Sequence, residues 1–375
     1  MRIGINARLL LKRKAGIGYF TDRVYRSLLQ NVKDDEIFYY TDKEFSGFRG
    51  FGLNRIKNRK IRKPLYLVWI NTILKSQLNR DNIDVLLTPN YTPPVNLNCK
   101  NVVVFHDLAY FTLPDIHPNN LYREYMKWSL PRIAQKADHI IATSYHTKSD
   151  IVEILKIPEN KISVVYQAPS NIFSTEPEKN ILDTVKNKFG LEDRFLLFTG
   201  SIDERKNIET AIDALGIYHK NKNDIKLKLV LAGNKDKMMA YTKSLQAHIK
   251  KRNLEKSVIF TGYLEEKELI ALYWGASAFI FPSLYEGFGV PLLEAMSAGL
   301  PIIASDISSI PELVQDAGLL IEPKNTQGFA EAIDSILNSE TLSKEFIERG
   351  YARAKGFSWD KTGKEILAIL KDAAS

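Results

Sequence analysis

Short apolar runs alternate with longer amphipathic runs along nearly the whole chain. In the first half the short runs predict strands at Arg2–Asn6, Ile37–Tyr40, Asp84–Leu87, Val102–Phe105, His139–Ala142 and Ser163–Tyr166. Helix-like segments with caps or charged faces fill most of the intervals. Gln167-Ala168-Pro169-Ser170-Asn171 then breaks the pattern, and a polar, lysine-rich stretch follows to about Asp193. The pattern restarts with strands at Phe195–Thr199, Lys228–Ala232, Val258–Phe260, Ala278–Pro282, Pro301–Ala304 and Gly318–Ile321. Asn207–Tyr218, Met238–Arg252, Glu265–Trp274 and Phe329–Leu337 read as helices between them. Strands and helices that alternate in this way predict parallel sheets covered by helices.

The expected architecture is α/β: two Rossmann-like domains, residues 1–170 and 171–356, joined near 168–193. The ligand is expected in the cleft between them, because open α/β sheets bind at the carboxyl ends of their strands. A last helix, about 357–375, follows Phe357-Ser358-Trp359 and is expected to cross back onto the first domain.

A length of 375 residues is sufficient for two cores. The single cysteine, Cys99, rules out an intramolecular disulfide and fits a reducing, cytoplasmic setting. The apolar run Leu9-Leu10-Leu11 is too short for a signal sequence, and no stretch nears the roughly 20 apolar residues of a membrane span. Charge is uneven. Residues 1–172 carry 26 Lys+Arg and 15 Asp+Glu, a net of +11, and the rest carry 26 and 29, a net of −3. The first half is therefore suited to an anionic membrane surface or a phosphate-bearing acceptor.

The richest chemical signal is Tyr285-Glu286-Gly287-Phe288-Gly289-Val290-Pro291-Leu292-Leu293-Glu294. A glycine turn follows a strand and opens a helix, with Pro291 near its first turn. A helix start favours a phosphate through its N–H groups and dipole. Glu286 and Glu294, on either side, suit sugar hydroxyls. Glu294 stands among Leu292, Leu293 and Met296, where a bare carboxylate is costly unless paired. The string asks for a phosphate with a polyol on each side, which is the layout of a nucleotide-diphosphate sugar. Read blandly, the two glutamates are favourable acids near a helix N-terminus.

Thr199-Gly200-Ser201-Ile202-Asp203-Glu204-Arg205-Lys206-Asn207 sits between a strand and a helix. Arg205 and Lys206 are placed to stabilise a departing diphosphate. Their alternative is a solvated loop paired with Asp203 and Glu204. Gly16-Ile17-Gly18 lacks the third glycine of a dinucleotide fingerprint, Thr21 standing there. It is either a close approach of Gly16 and Gly18 to a phosphate or sugar, or a simple tight turn. His106 ends a strand at the carboxyl edge, where it can bond a sugar hydroxyl, with Asp107 or a backbone carbonyl setting its tautomer. His117, His139 and His146 read as structural.

Arg55, Lys57, Arg59, Lys60, Arg62 and Lys63 crowd one short segment, with Phe48 and Phe51 before it and Pro64–Ile70 after it. Basic residues among aromatic and aliphatic ones suit an anionic membrane or the acceptor. They also suit single-stranded nucleic acid, although the polyol–phosphate–polyol string argues against that partner. The chain has no Asp-x-Asp metal-diphosphate motif, Gly-x-Ser-x-Gly elbow, phosphate-binding Walker loop or zinc-spaced Cys/His cluster. No metal or cofactor is expected.

From Glu286 to Glu294, the chain resembles the Glu-x7-Glu signature of retaining family 4 glycosyltransferases (glycosyltransferase group 1). The resemblance extends to Gly16-Ile17-Gly18, His106-Asp107, Thr143-Ser144, Val164-Val165-Tyr166, Arg205-Lys206-Asn207, Ser305-Asp306, Pro311-Glu312 and Phe357-Ser358-Trp359. The Arg-Lys-Asn loop is similar to that of bacterial mannosyltransferases of polysaccharide synthesis. Where many relatives have Asn-Gly-Val-Asp, this chain has Gln167-Ala168-Pro169-Ser170. The resemblance implies a GT-B fold and front-face sugar transfer assisted by the leaving diphosphate. It implies that Glu286 binds donor-sugar hydroxyls, and that the backbone of Gly287, Phe288, Gly289 and Val290 meets sugar and diphosphate. Glu294 would hold the ribose, Arg205 and Lys206 the diphosphate; Gly16 would lie near the β-phosphate and His106 against the donor sugar. The substrates implied are a nucleotide-sugar donor, GDP-mannose before a UDP-sugar, and a glycan or lipid-linked acceptor. A sugar-nucleotide epimerase on the same fold is the alternative.

Overall fold

The strands are apolar on both faces, which is what a sheet between two helical layers requires. The computed structural model describes residues 1–8, 16–41, 68–113, 120–234 and 238–375. It divides into two compact units, Met1–Gln167 with Ser358–Ser375, and Ala168–Phe357. The basic segment Arg55, Lys57, Arg59, Lys60, Arg62 and Lys63 lies outside the described residues, as does His117.

The first unit runs β1 (Arg2–Asn6), α1 (Ile17–Asn31), β2 (Glu36–Tyr40), a π-helical turn (Trp69–Leu74) continued by α2 (Lys75–Arg80), β3 (Val85–Thr88) and β4 (Lys100–Phe105). It continues with α3 (Ala109–Thr112), α4 (Asn120–Lys136), β5 (His139–Ala142), α5 (Tyr145–Leu155) and β6 (Ile162–Val164). The second runs α6 (Lys179–Phe189), β7 (Phe195–Thr199), α7 (Ile208–Lys222), β8 (Lys228–Ala232), α8 (Met239–Lys251), β9 (Val258–Phe260) and α9 (Glu266–Gly275). Then follow β10 (Ala278–Phe281), α10 (Val290–Ser297), β11 (Ile302–Ser305), α11 (Ile310–Val314), β12 (Gly318–Ile321), α12 (Thr326–Asn338) and α13 (Glu340–Ala354). The final helix, α14 (Trp359–Ala374), returns to the first unit.

Each sheet has six strands, ordered β2-β1-β3-β4-β5-β6 and β12-β11-β10-β7-β8-β9, and the strand pairings are parallel. In the second sheet β7 has β8 on one side and β10 on the other. Strand order therefore reverses at β7, so the loops after β7 and β10 flank the switch point where such sheets bind ligands.

The return of α14 has visible causes. Ile366 and Leu370 join Ile3, Val24 and Leu28 in one core. Ser27 Oγ donates to the Trp359 carbonyl at 2.6 Å, and Thr362 Oγ1 to the Tyr166 carbonyl at 2.7 Å. Ser358 caps the helix by accepting from Lys361 N.

Two expectations need correction. The polar stretch read as a joining segment contains α6, which belongs to the second unit. Val185 is its buried residue, and the helix packs on α9. Its lysines mark only the outer face and mask the short apolar stripe. Trp69 and Ile70, read as flanks of a surface-binding cluster, are only 1% and 2% exposed, in a core with Leu74, Leu78 and Leu86. Their apolar area is worth more inside than at a surface.

Candidate active site

The second unit brings Arg205, Lys206 and Glu286 together from loops 80 residues apart. Backbone bonding sets the arrangement: Leu284 N donates to the Arg205 carbonyl at 2.8 Å. Asn207, left-handed at φ 50°, donates from Nδ2 to the Pro282 carbonyl at 2.9 Å and the Pro323 carbonyl at 2.7 Å. The β7, β10 and β12 loops are thus tied at one edge. Behind them, Gly200 and Gly233 touch: a Cβ on Gly233 would lie 1.9 Å from the Gly200 oxygen, so only glycine fits.

Lys206 Nζ lies 2.5 Å from Glu286 Oε1, and Arg205 Nη1 lies 3.0 Å from Oε2 and 3.1 Å from the Tyr285 carbonyl. Lys206 Nζ also stands 4.7 Å from the centre of the Phe281 ring. Lys206 and Glu286 are buried, whereas the Arg205 side chain keeps 24% exposure. The solvated-loop alternative, with Asp203 and Glu204 as partners, is therefore displaced; Asp203 takes the Ser201 hydroxyl at 2.5 Å instead. Burial works to raise the Glu286 pKa, but Arg205 and Lys206 outweigh it and hold the carboxyl below its ordinary value. Glu286 is a carboxylate at neutral pH. Burial lowers Lys206 despite the pull of Glu286.

The turn after Glu286 is braced from the β11–α11 loop. Glu286 N donates to Ser308 Oγ at 2.9 Å, and Ser309 Oγ lies 2.9 and 2.7 Å from the Glu286 and Phe288 carbonyls. Gly289 caps α10 at φ 114°, a conformation that β-carbon sterics deny other residues, and Pro291 follows within the first two helical positions. Gly287, Phe288, Gly289 and Val290 consequently wrap the helix start beside Glu286.

Glu294, one turn into α10, is not part of the ion-pair cluster. Tyr273 Oη of α9 donates to its Oε2 at 3.0 Å, and Thr199 Oγ1 lies 2.5 Å from that Oη. Burial raises the Glu294 pKa to about 7, with the Tyr273 bond opposing. Thr199 closes β7 directly before Gly200 and Ser201, so the relay joins the Glu294 carboxyl to that loop. Thr199 opens the loop motif that the sequence displays, whereas Tyr273 does not stand out in it. Tyr273 sits in a helix whose apolar face reads as core, and it is fully buried.

In the first unit, Gly16 (φ 56°) caps α1, whose first turn contains Gly18. Phe20, from the same turn, meets the His106 ring edge-on at 4.9 Å, which joins the glycine turn to His106. His106 Nε2 bonds the Pro89 carbonyl at 2.9 Å, and burial holds its pKa down. The ring is neutral with its proton on Nε2, which leaves Nδ1 as the acceptor nitrogen. The backbone carbonyl sets the tautomer; Asp107 Oδ1 accepts from Ala109 N at 3.2 Å. His139 bonds Ser163 and His146 pairs with Asp150, both in structural settings. Among the described residues no cluster of three or more His, Cys, Asp or Glu is arranged to hold a metal, and no helix is long and apolar enough to cross a membrane.

Residues 182–353 match the family model of the glycosyl transferases group 1, and residues 18–168 that of glycosyltransferase family 4. O-antigen chain mannosyltransferase B of Escherichia coli is 30% identical over 284 residues, 76% of this chain and 73% of its own. The O-antigen chain mannosyltransferase RfbU of Salmonella typhimurium is 26% identical over 284 residues, with the same shares. Among solved structures, sucrose-phosphate synthase from Thermosynechococcus elongatus superposes with a TM-score of 0.78 at 18% identity, both chains covered in full. Anabaena HepE, in complex with UDP and glucose, gives 0.72 at 16% identity over 99% of each chain. Those structural likenesses show the GT-B fold.

Proposed function

Since the chain belongs to the group 1 glycosyltransferases of family 4 and is a glycosyltransferase, we propose that it transfers a hexose, with retention, from a nucleotide-diphosphate donor to a hydroxyl of a glycan or lipid-linked acceptor in surface polysaccharide synthesis. The observation that carries this reading is Glu286 held as a carboxylate between Arg205 and Lys206, beside the start of α10. In this reading Glu286 accepts donor-sugar hydroxyls. The start of α10 and the two cations meet the diphosphate, and Glu294 takes the ribose diol. The cations stabilise the charge that develops on the leaving group, so the transfer needs no metal.

Mannose is the first candidate sugar, because the relatives just described are named mannosyltransferases. GDP-mannose is accordingly the leading donor and a UDP-sugar the second. A thermal-shift screen of GDP, UDP, dTDP and ADP tests the base, since a ligand that binds only the folded state raises the melting temperature by mass action. The expected result is the largest shift with GDP, followed by incorporation of mannose from labelled GDP-mannose into a polyprenyl-linked acceptor. A larger shift with UDP moves the assignment to a UDP-sugar. No shift with any of the four rejects the nucleotide-donor reading.

A further inference from the structure

Helix α4 presents two unlike faces. Met126, Leu130 and Ala134 pack into the core of the first unit with Phe105. The opposite face carries Leu121, Tyr122, Tyr125 and Trp128, which are 84%, 45%, 46% and 57% exposed. Their spacing places them over successive turns on the outer side. The rings form a row, with centroids 6.4 Å apart from Tyr122 to Tyr125 and 6.3 Å from Tyr125 to Trp128.

The next turns on this side are basic. Arg132 lies over the Trp128 ring, 4.3 Å from its centre, and donates to the Trp128 carbonyl at 2.7 Å. Pro131 lacks the N–H a helix would use one residue earlier, and Arg132 supplies a donor to this part of the helix. Lys136 is exposed one turn further on. Along α4, Arg123, Lys127, Arg132 and Lys136 oppose a single acid, Glu124, which Arg123 already pairs at 3.1 Å. Scattered exposed aromatics are ordinary, but here an apolar row ends in Arg132 and Lys136, which pair with no acid among the described residues, and such a patch has the character of an interaction surface.

We propose that this face of α4 docks on an anionic lipid surface, with Leu121, Tyr122, Tyr125 and Trp128 at the headgroup–acyl boundary and Arg132 and Lys136 on lipid phosphates. Two observations select this occupant. Tyr and Trp combine an apolar body with a polar tip and so suit such a boundary. The charge is complementary to anionic lipid, both on the helix and across residues 1–172, which carry a net of +11. The inference goes beyond the transfer reaction, and its test is read without donor or acceptor, so each reading can fail alone.

The test is flotation of the full chain with vesicles of phosphatidylcholine and phosphatidylglycerol, against vesicles of phosphatidylcholine alone. The expected result is salt-sensitive binding to the anionic vesicles only. Tyr125→Ser with Trp128→Ser, and separately Arg132→Glu with Lys136→Glu, are each expected to weaken it about tenfold or more. All four side chains are exposed, so beyond the loss of the Arg132–Trp128 contacts only a small fall in melting temperature is expected. Failure of the wild type to float overturns the proposal, and so does equal binding by the variants. Retained binding in both α4 variants, with loss in Arg59→Glu/Lys60→Glu, transfers the contact to the 55–63 segment and also overturns it. Binding of the wild type to a neutral polysaccharide instead, abolished by the aromatic variant, makes the row a glycan-stacking face.

Discussion

Glu286 and Glu294 stand eight positions apart on one turn and one helix, yet their surroundings drive them in opposite directions. Glu286 faces Arg205 and Lys206 and stays ionised although buried. Among the described residues Glu294 pairs with no cation; it accepts from the Tyr273 hydroxyl, and burial pushes its pKa up to about 7. Burial acts alike on both; the difference is whether a counter-charge is present. One glutamate is a permanent anion that also aims two cations. The other can give up or hold a proton near neutrality.

The largest effect that could break this contrast is loss of the anion. Glu286→Gln removes the negative charge that faces two cations, one of them buried. It is expected to cut kcat/KM by about a thousandfold and to lower unfolding free energy by about 3–5 kcal/mol. Transfer assays and urea denaturation report on these, and near-wild-type kcat/KM would remove Glu286 from the site. Lys206→Ala comes next, with a loss of about 2–4 kcal/mol of transition-state stabilisation, the scale of one electrostatic donor. An unchanged kcat/KM would make its bond to Glu286 purely structural.

The third effect is one of pH. The folded Glu294 pKa, about 7, lies above its ordinary value of 4.5. Between those values the folded state holds the proton more tightly than the unfolded chain does. The stability contributed by the protonated carboxyl is therefore full below about pH 4.5 and is lost as pH rises toward 7. Glu294→Gln, which stays neutral, is expected to gain stability relative to the wild type across that window, as followed by thermal melts. Parallel melting curves at all pH values would contradict the shift. The smallest effect belongs to Tyr273→Phe. Its lost bond raises the Glu294 pKa further, so the pH at which nucleotide affinity changes is expected to move upward, with little change in kcat. An unmoved pH profile with a lowered melting temperature would make Tyr273 merely a packing residue.

The alternating architecture was legible because parallel strands between helices are apolar in short bursts, and the strand centres observed coincide with those runs. The Glu286–Glu294 string was legible because its glycines and Pro291 bear on local backbone geometry that the sequence spells out. α6 was not legible, because a one-sided apolar stripe under many lysines has the composition of a linker. Trp69 and Ile70 misled for the converse reason: an aromatic next to basic residues reads alike whether it points in or out.

The sequence by itself determined the alternation, the glycine turn and the residue types of the site, all of which depend on neighbours within a few positions. The tertiary structure alone decided which charges meet. Arg205 and Lys206 choose Glu286, 80 residues away, over the adjacent Asp203 and Glu204, because sheet order places β7 beside β10. Glu294 acquires its Tyr273–Thr199 relay because α9 packs where it does. Ionisation follows burial and long-range contact, and these are properties of the fold rather than of any local stretch of chain.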